Sequence, residues 1–146
     1  MAKYQHILVA LDLSEESDQV LQQAIELATN SGAKLSLAHV IEPLTFAYGG
    51  DIPVDLTEVQ EQLQVQAQEQ LDKIVSNITI GTHNQHVVIG QPAAEIHRLA
   101  EEEDCDLVVV GSHGRRGLAL LLGSTANGVL HGAKCDVLAV RVSLPE

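Results

Sequence analysis

The chain has 146 residues, of which 45% are hydrophobic, and it carries a formal net charge of −12. This length and apolar content predict one globular domain over residues 1–146, with a core that needs no disulfide or metal ion. The negative charge argues against nucleic acid as a partner, and no apolar run approaches the roughly 20 residues of a membrane span. Without a recognisable secretory signal, the sequence predicts a cytoplasmic protein.

The first part of the chain alternates predicted strands and helices. His6–Leu11 is a short apolar run typical of a strand buried on both faces. Ser14 is the expected N-cap of a helix that ends at Gly32, and a second strand is predicted over Lys34–Val40. A less regular segment then leads into a helix from about Thr57 to Ser76, whose apolar positions follow a helical spacing.

The second part continues the alternation. It contains a weaker strand over Gln85–Ile89, a helix over Pro92–Glu103, a strand over Asp106–Val110, a helix from about Gly123 to Gly132 and a last strand over Val137–Val142. Parallel strands need helical crossovers of this kind, which are right-handed in nearly all proteins. The pattern predicts an α/β fold: an open five-stranded parallel sheet with helices on both faces.

Candidate binding residues follow the predicted strands, because open parallel sheets bind ligands outside the carboxyl ends of their strands. Asp12 and Val40 lie at the ends of the first two strands, and Gly111-Ser112-His113-Gly114 follows the fourth. Glycines let backbone N–H groups approach an anion, and Gly123-Ser124-Thr125 adds a second glycine and two hydroxyls. Taken alone, the glycines favour a plain structural turn from strand to helix, and Asp12 can either accept ribose hydroxyls or cap the next helix.

Four segments together resemble universal stress proteins of the UspA family. They are Lys3–Ser14 (KYQHILVALDLS), Asp106–Gly114 (DLVVVGSHG), Gly123–Asn127 (GSTAN) and Cys135–Arg141 (CDVLAVR). The resemblance extends over essentially the whole chain. It implies an adenine nucleotide alpha hydrolase-like, Rossmann-like fold with strand order 3-2-1-4-5.

The resemblance also implies a ligand, ATP or AMP with or without Mg²⁺. By position, Asp12 would hold the ribose, and the residues beside the adenine would be Ala10, Leu11 and Val40. The residues around the phosphates would be Gly111, His113, Gly114, Arg115, Gly123, Ser124 and Thr125, with Arg116 adjacent. Nucleotide-binding members have nine residues between the second and third of these glycines, whereas this chain has eight, Arg115 to Leu122.

Three functions remain open on the sequence. The first is a stress protein that binds an adenine nucleotide and thereby changes its association with protein partners. The second is a nucleotide-independent dimeric interaction module, and the third is a weak ATPase or phosphotransferase, although no catalytic set of residues emerges. The resemblance implies a homodimer, and its expected surface is the last strand, an apolar edge strand that invites pairing through Val137, Leu138, Ala139, Val140, Arg141 and Val142.

No metal site is predicted. Cys105 and Cys135 form no CxxC pair, which excludes a thioredoxin-like site and argues against zinc. His83 and His86 are three residues apart, and on a strand that spacing places them on opposite faces. His39 and His113 can both approach the carboxyl ends of the strands, and His113 is expected to lie beside a ligand or to pack rather than to bind a metal.

Overall fold

The computed structural model describes residues 4–43, 57–112 and 124–142, which form five strands and four helices. The elements in chain order are β1 (His6–Ala10), α1 (Ser17–Ser31), β2 (Lys34–Ile41), α2 (Thr57–Ser76), β3 (Gln85–Ile89), α3 (Pro92–Glu102), β4 (Leu107–Gly111), α4 (Ser124–Leu130) and β5 (Asp136–Val140). Each predicted strand and helix is present, and the predicted ends differ from the observed ones by no more than two residues.

The five strands form one parallel sheet in the order β3-β2-β1-β4-β5. This confirms the predicted fold class and strand order. Val9 in the central strand β1 lies opposite Leu37 in β2 and Val109 in β4. The chain adds β2 and β3 on one side of β1 and β4 and β5 on the other, so the connections change direction between β1 and β4.

Helices cover both faces of the sheet. The face under α1 and α2 carries Ile7, Val9, Leu35, Leu37, Leu107 and Val109. The face under α3 and α4 carries Leu8, Ala38, Val108 and Val110. Because successive side chains of a strand point to opposite faces, a strand covered on both sides has to be apolar at consecutive positions. This explains the uninterrupted apolar runs in β1 and β4.

The start of α1 differs from the prediction. Ser14 is not the N-cap: the cap residue is Glu16, whose side chain makes no capping hydrogen bond. The Ser14 hydroxyl instead donates to Asp12 Oδ1 at 2.6 Å, while the Ser14 carbonyl accepts from the backbone N–H of Ser17. The end of α1 is as predicted, because Gly32 has the left-handed conformation, with φ +67°, that ends many helices.

The start of α3 has a cap that the sequence interpretation missed. Pro92 is the first residue of the helix, as expected, and the Gln91 side chain accepts a hydrogen bond from the Ala94 backbone N–H at 2.7 Å. The side-chain oxygen thereby satisfies one of the four N–H groups that have no partner within the helix.

Across residues 4–43, 57–112 and 124–142, no helix combines the length and apolar character needed to span a membrane.

Candidate functional site

The carboxyl ends of β1 and β4 lie side by side at the point where the connections change direction. β1 pairs in parallel with β4, with Val9 opposite Val109, so both strands end on the same side of the sheet. Just beyond these ends, the Leu11 N–H donates to Ala38 O of β2 at 2.9 Å, and the Ser112 N–H donates to Val140 O of β5 at 2.8 Å. Crevices at such points are where open α/β sheets bind their ligands. The residues after β1 and the end of β4 are therefore placed to line one site.

Asp12 braces the turn that follows β1. Its Oδ1 accepts from the Ser14 backbone N–H at 2.9 Å and from the Ser14 hydroxyl at 2.6 Å, and its side chain is exposed. Leu13 between them has φ +61°, a left-handed conformation that costs a non-glycine residue about 1–3 kcal/mol. Because α1 begins only at Ser17, Asp12 does not cap that helix, and the capping alternative is wrong.

Ala10 and Val40 lie at the ends of neighbouring strands on the same face of the sheet. Both are partly buried and pack against the apolar cluster under α3 and α4. The two side chains thus extend that cluster toward the edge where Asp12 leaves the sheet.

His39 supports the backbone at this edge. It follows Ala38, which lies opposite Ala10, so the parallel register places His39 beside Leu11. Its Nδ1 donates to the Leu11 carbonyl oxygen at 2.7 Å, because a carbonyl can only accept and the hydrogen must be on the ring. The sequence interpretation placed His39 near the strand ends but missed this function, which only the register between β1 and β2 reveals.

The end of β4 corrects one detail of the predicted glycine turn. Gly111 is the last residue of the strand, opposite Val140, so the chain leaves the sheet after it. The hydroxyl and the backbone N–H of Ser112 both donate to the Val140 carbonyl, at 3.0 and 2.8 Å, which ties this segment to β5. Ser112 is therefore engaged in holding the edge together.

The remaining predicted phosphate residues are only partly covered. Ser124 is the first residue of α4, and Thr125 is half-buried in that helix. His113, Gly114, Arg115, Arg116 and Gly123 lie outside the described residues. The structure thus brings together five predicted site residues where the strands end, a side of the sheet called the carboxyl edge below: Ala10, Leu11, Asp12, Val40 and Gly111.

The described part of the chain contains no group of three or more His, Cys, Asp or Glu side chains arranged to hold a metal ion. The expectation that His83 and His86 lie on opposite faces of a strand is wrong, because His83 precedes β3. Its ring packs edge-on against His6, with centroids 5.1 Å apart, while His86 Nε2 bonds to the Glu103 carboxylate. Both histidines belong to a polar cluster on the side of the sheet where the strands begin, called the amino edge below.

The two cysteines are free thiols. Burial, with a smaller contribution from Glu103 and other nearby acidic groups, raises the pKa of Cys105 to about 12. Burial and Asp136 also raise the pKa of Cys135. Because the thiolate is the reactive form, neither side chain is activated as a nucleophile at neutral pH.

Comparison with known proteins identifies the family. Residues 3–141 match the model of the universal stress protein family. The chain belongs to this family. It is 45% identical over 146 residues to Universal stress protein A homolog 2 of Coxiella burnetii, with 97% of this chain and 98% of that protein covered. Universal stress protein A homolog 1 of the same organism is 41% identical over 139 residues, with 94% and 96% covered.

Solved universal stress proteins have the same fold. A universal stress protein in complex with cAMP is 27% identical to this one, with a TM-score of 0.63, and the match covers 97% of this chain and 100% of that chain. Universal stress protein UspA from Lactobacillus plantarum is 22% identical, with a TM-score of 0.72 and coverage of 98% and 100%. The doubly covered parallel sheet of this universal stress protein is thus the architecture of its relatives.

Proposed function

We propose that this universal stress protein binds an adenine nucleotide, ATP or AMP, in the crevice between the carboxyl ends of β1 and β4. Binding would change its association with protein partners in a stress response. The observation that carries the proposal is the adjacency of the Asp12 turn and the end of β4 at the switch point of the sheet. The relative solved in complex with cAMP supports an adenine nucleotide as the ligand class.

The adenine would lie against the Ala10 and Val40 side chains. These partly buried groups offer an apolar surface at the strand ends, and the Leu11 backbone lies between them and Asp12. The hydrogen bond from His39 fixes the Leu11 carbonyl, so this part of the site is formed before the ligand arrives. Preorganisation of this kind raises affinity because less ordering is required on binding.

The ribose would be held by Asp12. An ionised carboxylate only accepts hydrogen bonds, and ribose hydroxyls are donors that match it. The two bonds from Ser14 orient the exposed carboxylate without burying it. A hydrogen bond between a hydroxyl and a charged group contributes about 1.5–3 kcal/mol, enough for Asp12 to matter measurably.

The phosphates would be bound by the glycine-rich residues of the sequence motif: Gly111, His113, Gly114, Arg115, Gly123, Ser124 and Thr125. Their backbone N–H groups, hydroxyls and one guanidinium are donors for phosphate oxygens, with or without Mg²⁺. The net charge of −12 does not prevent this, since exposed charges more than about 8 Å away are largely screened at physiological salt.

Calorimetric titration with ATP, AMP and cAMP tests the proposal, with Asp12→Asn as the variant and Asp18→Asn as the control. Both substitutions remove one exposed carboxylate near the start of α1, but only Asp12 lies at the crevice. We expect Asp12→Asn to weaken binding about tenfold or more and Asp18→Asn by less than about twofold. No heat of binding for any of the three nucleotides at millimolar concentration would exclude the proposal.

A second candidate, a nucleotide-independent dimeric module, rests on the position of β5. This strand is at an edge of the sheet, and Val137, Leu138, Ala139 and Val140 are only half-buried. Unpaired edge strands with apolar side chains favour association with another chain. Val140→Lys should raise the monomer fraction in light scattering, whereas Val59→Lys, at an exposed position of α2, should not. An unchanged mass for a folded Val140→Lys protein would exclude this surface.

A further inference from the structure

A groove lies between α1 and α2, the two helices that cover the same face of the sheet. Each helix packs on the strands beneath it, but the two helices come close to one another at few points. The space between them has a volume of about 420 Å³. It is bordered by the first half of α1 with the turn before it, and by the end of α2 with the segment that follows.

The floor of the groove is apolar and its rim is polar. Leu21 is 4% exposed, and Ile25 and Ile74 are partly buried against the core cluster under these helices. The exposed Asp18 and Gln22 side chains stand at the rim. Small-molecule sites enclose most of their ligand, whereas a groove that is open between two helices matches the apolar side of a third helix.

Exposed apolar side chains on α2 lengthen this groove. Leu63 precedes Ile74 by 11 residues, close to three turns of the helix, so both lie on the side of α2 that faces α1, with Gln70 between them. Leu63 is 37% exposed, and Val59, one turn earlier, is 46% exposed. The row from Leu63 to Ile74 is about 16 Å long, which suits a helical segment as the partner.

The charge of the two helices favours a cationic partner. Asp18 lies at the groove itself, and α1 and α2 together carry six carboxylates and one ammonium group: Asp18, Glu26, Glu58, Glu61, Glu69, Asp72 and Lys73. Such a surface attracts positive charge and repels negative charge. This disfavours a second copy of the chain, with its net charge of −12, and also an anionic membrane surface.

We propose that the groove between α1 and α2 is a docking surface for a cationic amphipathic helix of a partner protein. The apolar side of the partner helix packs on Leu21, Ile25 and Ile74. Its lysine or arginine side chains reach over the rim to Asp18 and the other carboxylates, because their long apolar stems can follow the surface while the charge stays in water.

The groove is distinct from the proposed nucleotide crevice. Among the described residues, none of those proposed to contact the nucleotide lines it. Ser14, which orients Asp12, borders one end of the groove, so the two sites share a turn. The groove supplies a surface for the proposed association with protein partners and rests on the proposed function for that role alone, since docking of the helix requires no nucleotide.

Titration of the nucleotide-free protein with a labelled peptide tests the groove, with fluorescence anisotropy as the measurement. The probe is a synthetic helix of about 18 leucine, alanine and lysine residues, with leucine on one side and lysine on the other. A peptide of the same composition, in an order without an apolar side, is the comparison, because a protein of charge −12 attracts any cationic peptide. We expect the amphipathic peptide to bind about tenfold more tightly or better. Equal affinities would overturn the proposal.

Two neighbouring glutamines of α1 provide a matched pair of variants. Gln22 and Gln23 are both exposed, but only Gln22 lines the groove. Gln22→Lys and Gln23→Lys add the same charge, so we expect the first to weaken binding of the amphipathic peptide about fivefold or more and the second less than about twofold. Leu63→Gln should weaken it about threefold, because an exposed apolar contact is lost. Equal affinities of the two lysine variants would contradict the assignment of the groove.

Two other occupants give different results in the same proteins. If a second copy of the chain occupied the groove, Gln22→Lys would raise the monomer fraction in light scattering and Gln23→Lys would not. If a small apolar compound occupied it, mass spectrometry would detect that compound in the purified protein, and its removal would leave the two peptides with equal affinities. Either result would overturn the proposal. Because every titration is made without nucleotide, failure here is separate from failure of nucleotide binding.

Discussion

The two edges of the sheet differ in how their polar groups are used. At the amino edge, where the strands begin, Ser36 is buried and Glu103 is largely buried, and both are hydrogen-bonded to other side chains of the protein. At the carboxyl edge, Asp12 is exposed and is held in place by Ser14 next to a crevice. A closed network leaves little capacity for a ligand and contributes to stability, whereas an oriented, exposed carboxylate contributes little to stability and can bind a ligand. Substitutions at the two edges should therefore separate stability from binding.

The largest expected effect is on stability, from Glu103→Ala at the amino edge. Removal of this carboxylate takes away the acceptor that Asn84 and His86 share and one of the two partners of Ser36, and losing such hydrogen bonds at a largely buried group costs about 1–3 kcal/mol. Urea unfolding measures the loss. Glu102→Ala, which removes an exposed partner of Arg98, should cost less than about 1 kcal/mol. Equal losses would mean that the amino edge is not a closed network.

At acid pH, the difference in unfolding free energy between wild type and Glu103→Gln should become smaller. Burial by itself raises the pKa of Glu103, but the hydrogen bonds from Asn84, His86 and Ser36 outweigh it and hold the folded-state pKa below its ordinary value of 4.5. A lowered folded-state pKa gives stability that is complete above 4.5 and is lost as the pH falls through the folded-state value. The difference in unfolding free energy between the two proteins should thus narrow below that pH. A constant difference down to the acid transition would contradict this reasoning.

A smaller effect is expected from His39→Ala at the carboxyl edge. This change removes the donor to the Leu11 carbonyl, which should cost about 1–2 kcal/mol of stability and also weaken nucleotide binding. His39→Gln keeps a donor of similar reach and should recover part of both losses. Thermal unfolding and calorimetric titration measure the two quantities, and a variant that binds like wild type would remove His39 from the account of the site.

The smallest expected effect on stability comes from Asp12→Asn. The amide oxygen can still accept from the Ser14 N–H and hydroxyl, so the unfolding free energy should change by no more than about 0.5 kcal/mol. Nucleotide binding should nevertheless weaken as described above. A loss of several kcal/mol in urea unfolding would show that Asp12 acts mainly in folding, and the contrast between the edges would fail.

The fold could be predicted from sequence because it depends on local patterns. The continuous apolar runs of β1 and β4 require a sheet covered on both faces. Gly32 follows the last apolar position of α1, and a glycine there is the usual signal that a helix ends. The strand order came from the resemblance to the family. The cap of α1 was mispredicted because the Asp12 carboxylate binds the Ser14 hydroxyl, a competition between side chains that propensity does not describe.

The polar contacts could not be predicted because they join distant parts of the chain. His6 meets Glu103 across 97 positions, and His39 meets Leu11 across 28. The register between β1 and β2 sets the His39–Leu11 pair, and the connection from α3 to β4 brings Glu103 to the start of β1. No short motif encodes either arrangement. His83 was assigned to a strand that begins only at Gln85, so the period-2 argument did not apply to it.

The most direct test of the central claim is a backbone NMR titration of the wild-type protein with ATP. We expect the largest chemical-shift changes at Ala10, Leu11, Asp12, Val40 and Gly111, with none at His6, Ser36 and Glu103. Changes centred on the amino edge, or no saturable changes at millimolar ATP, would contradict it.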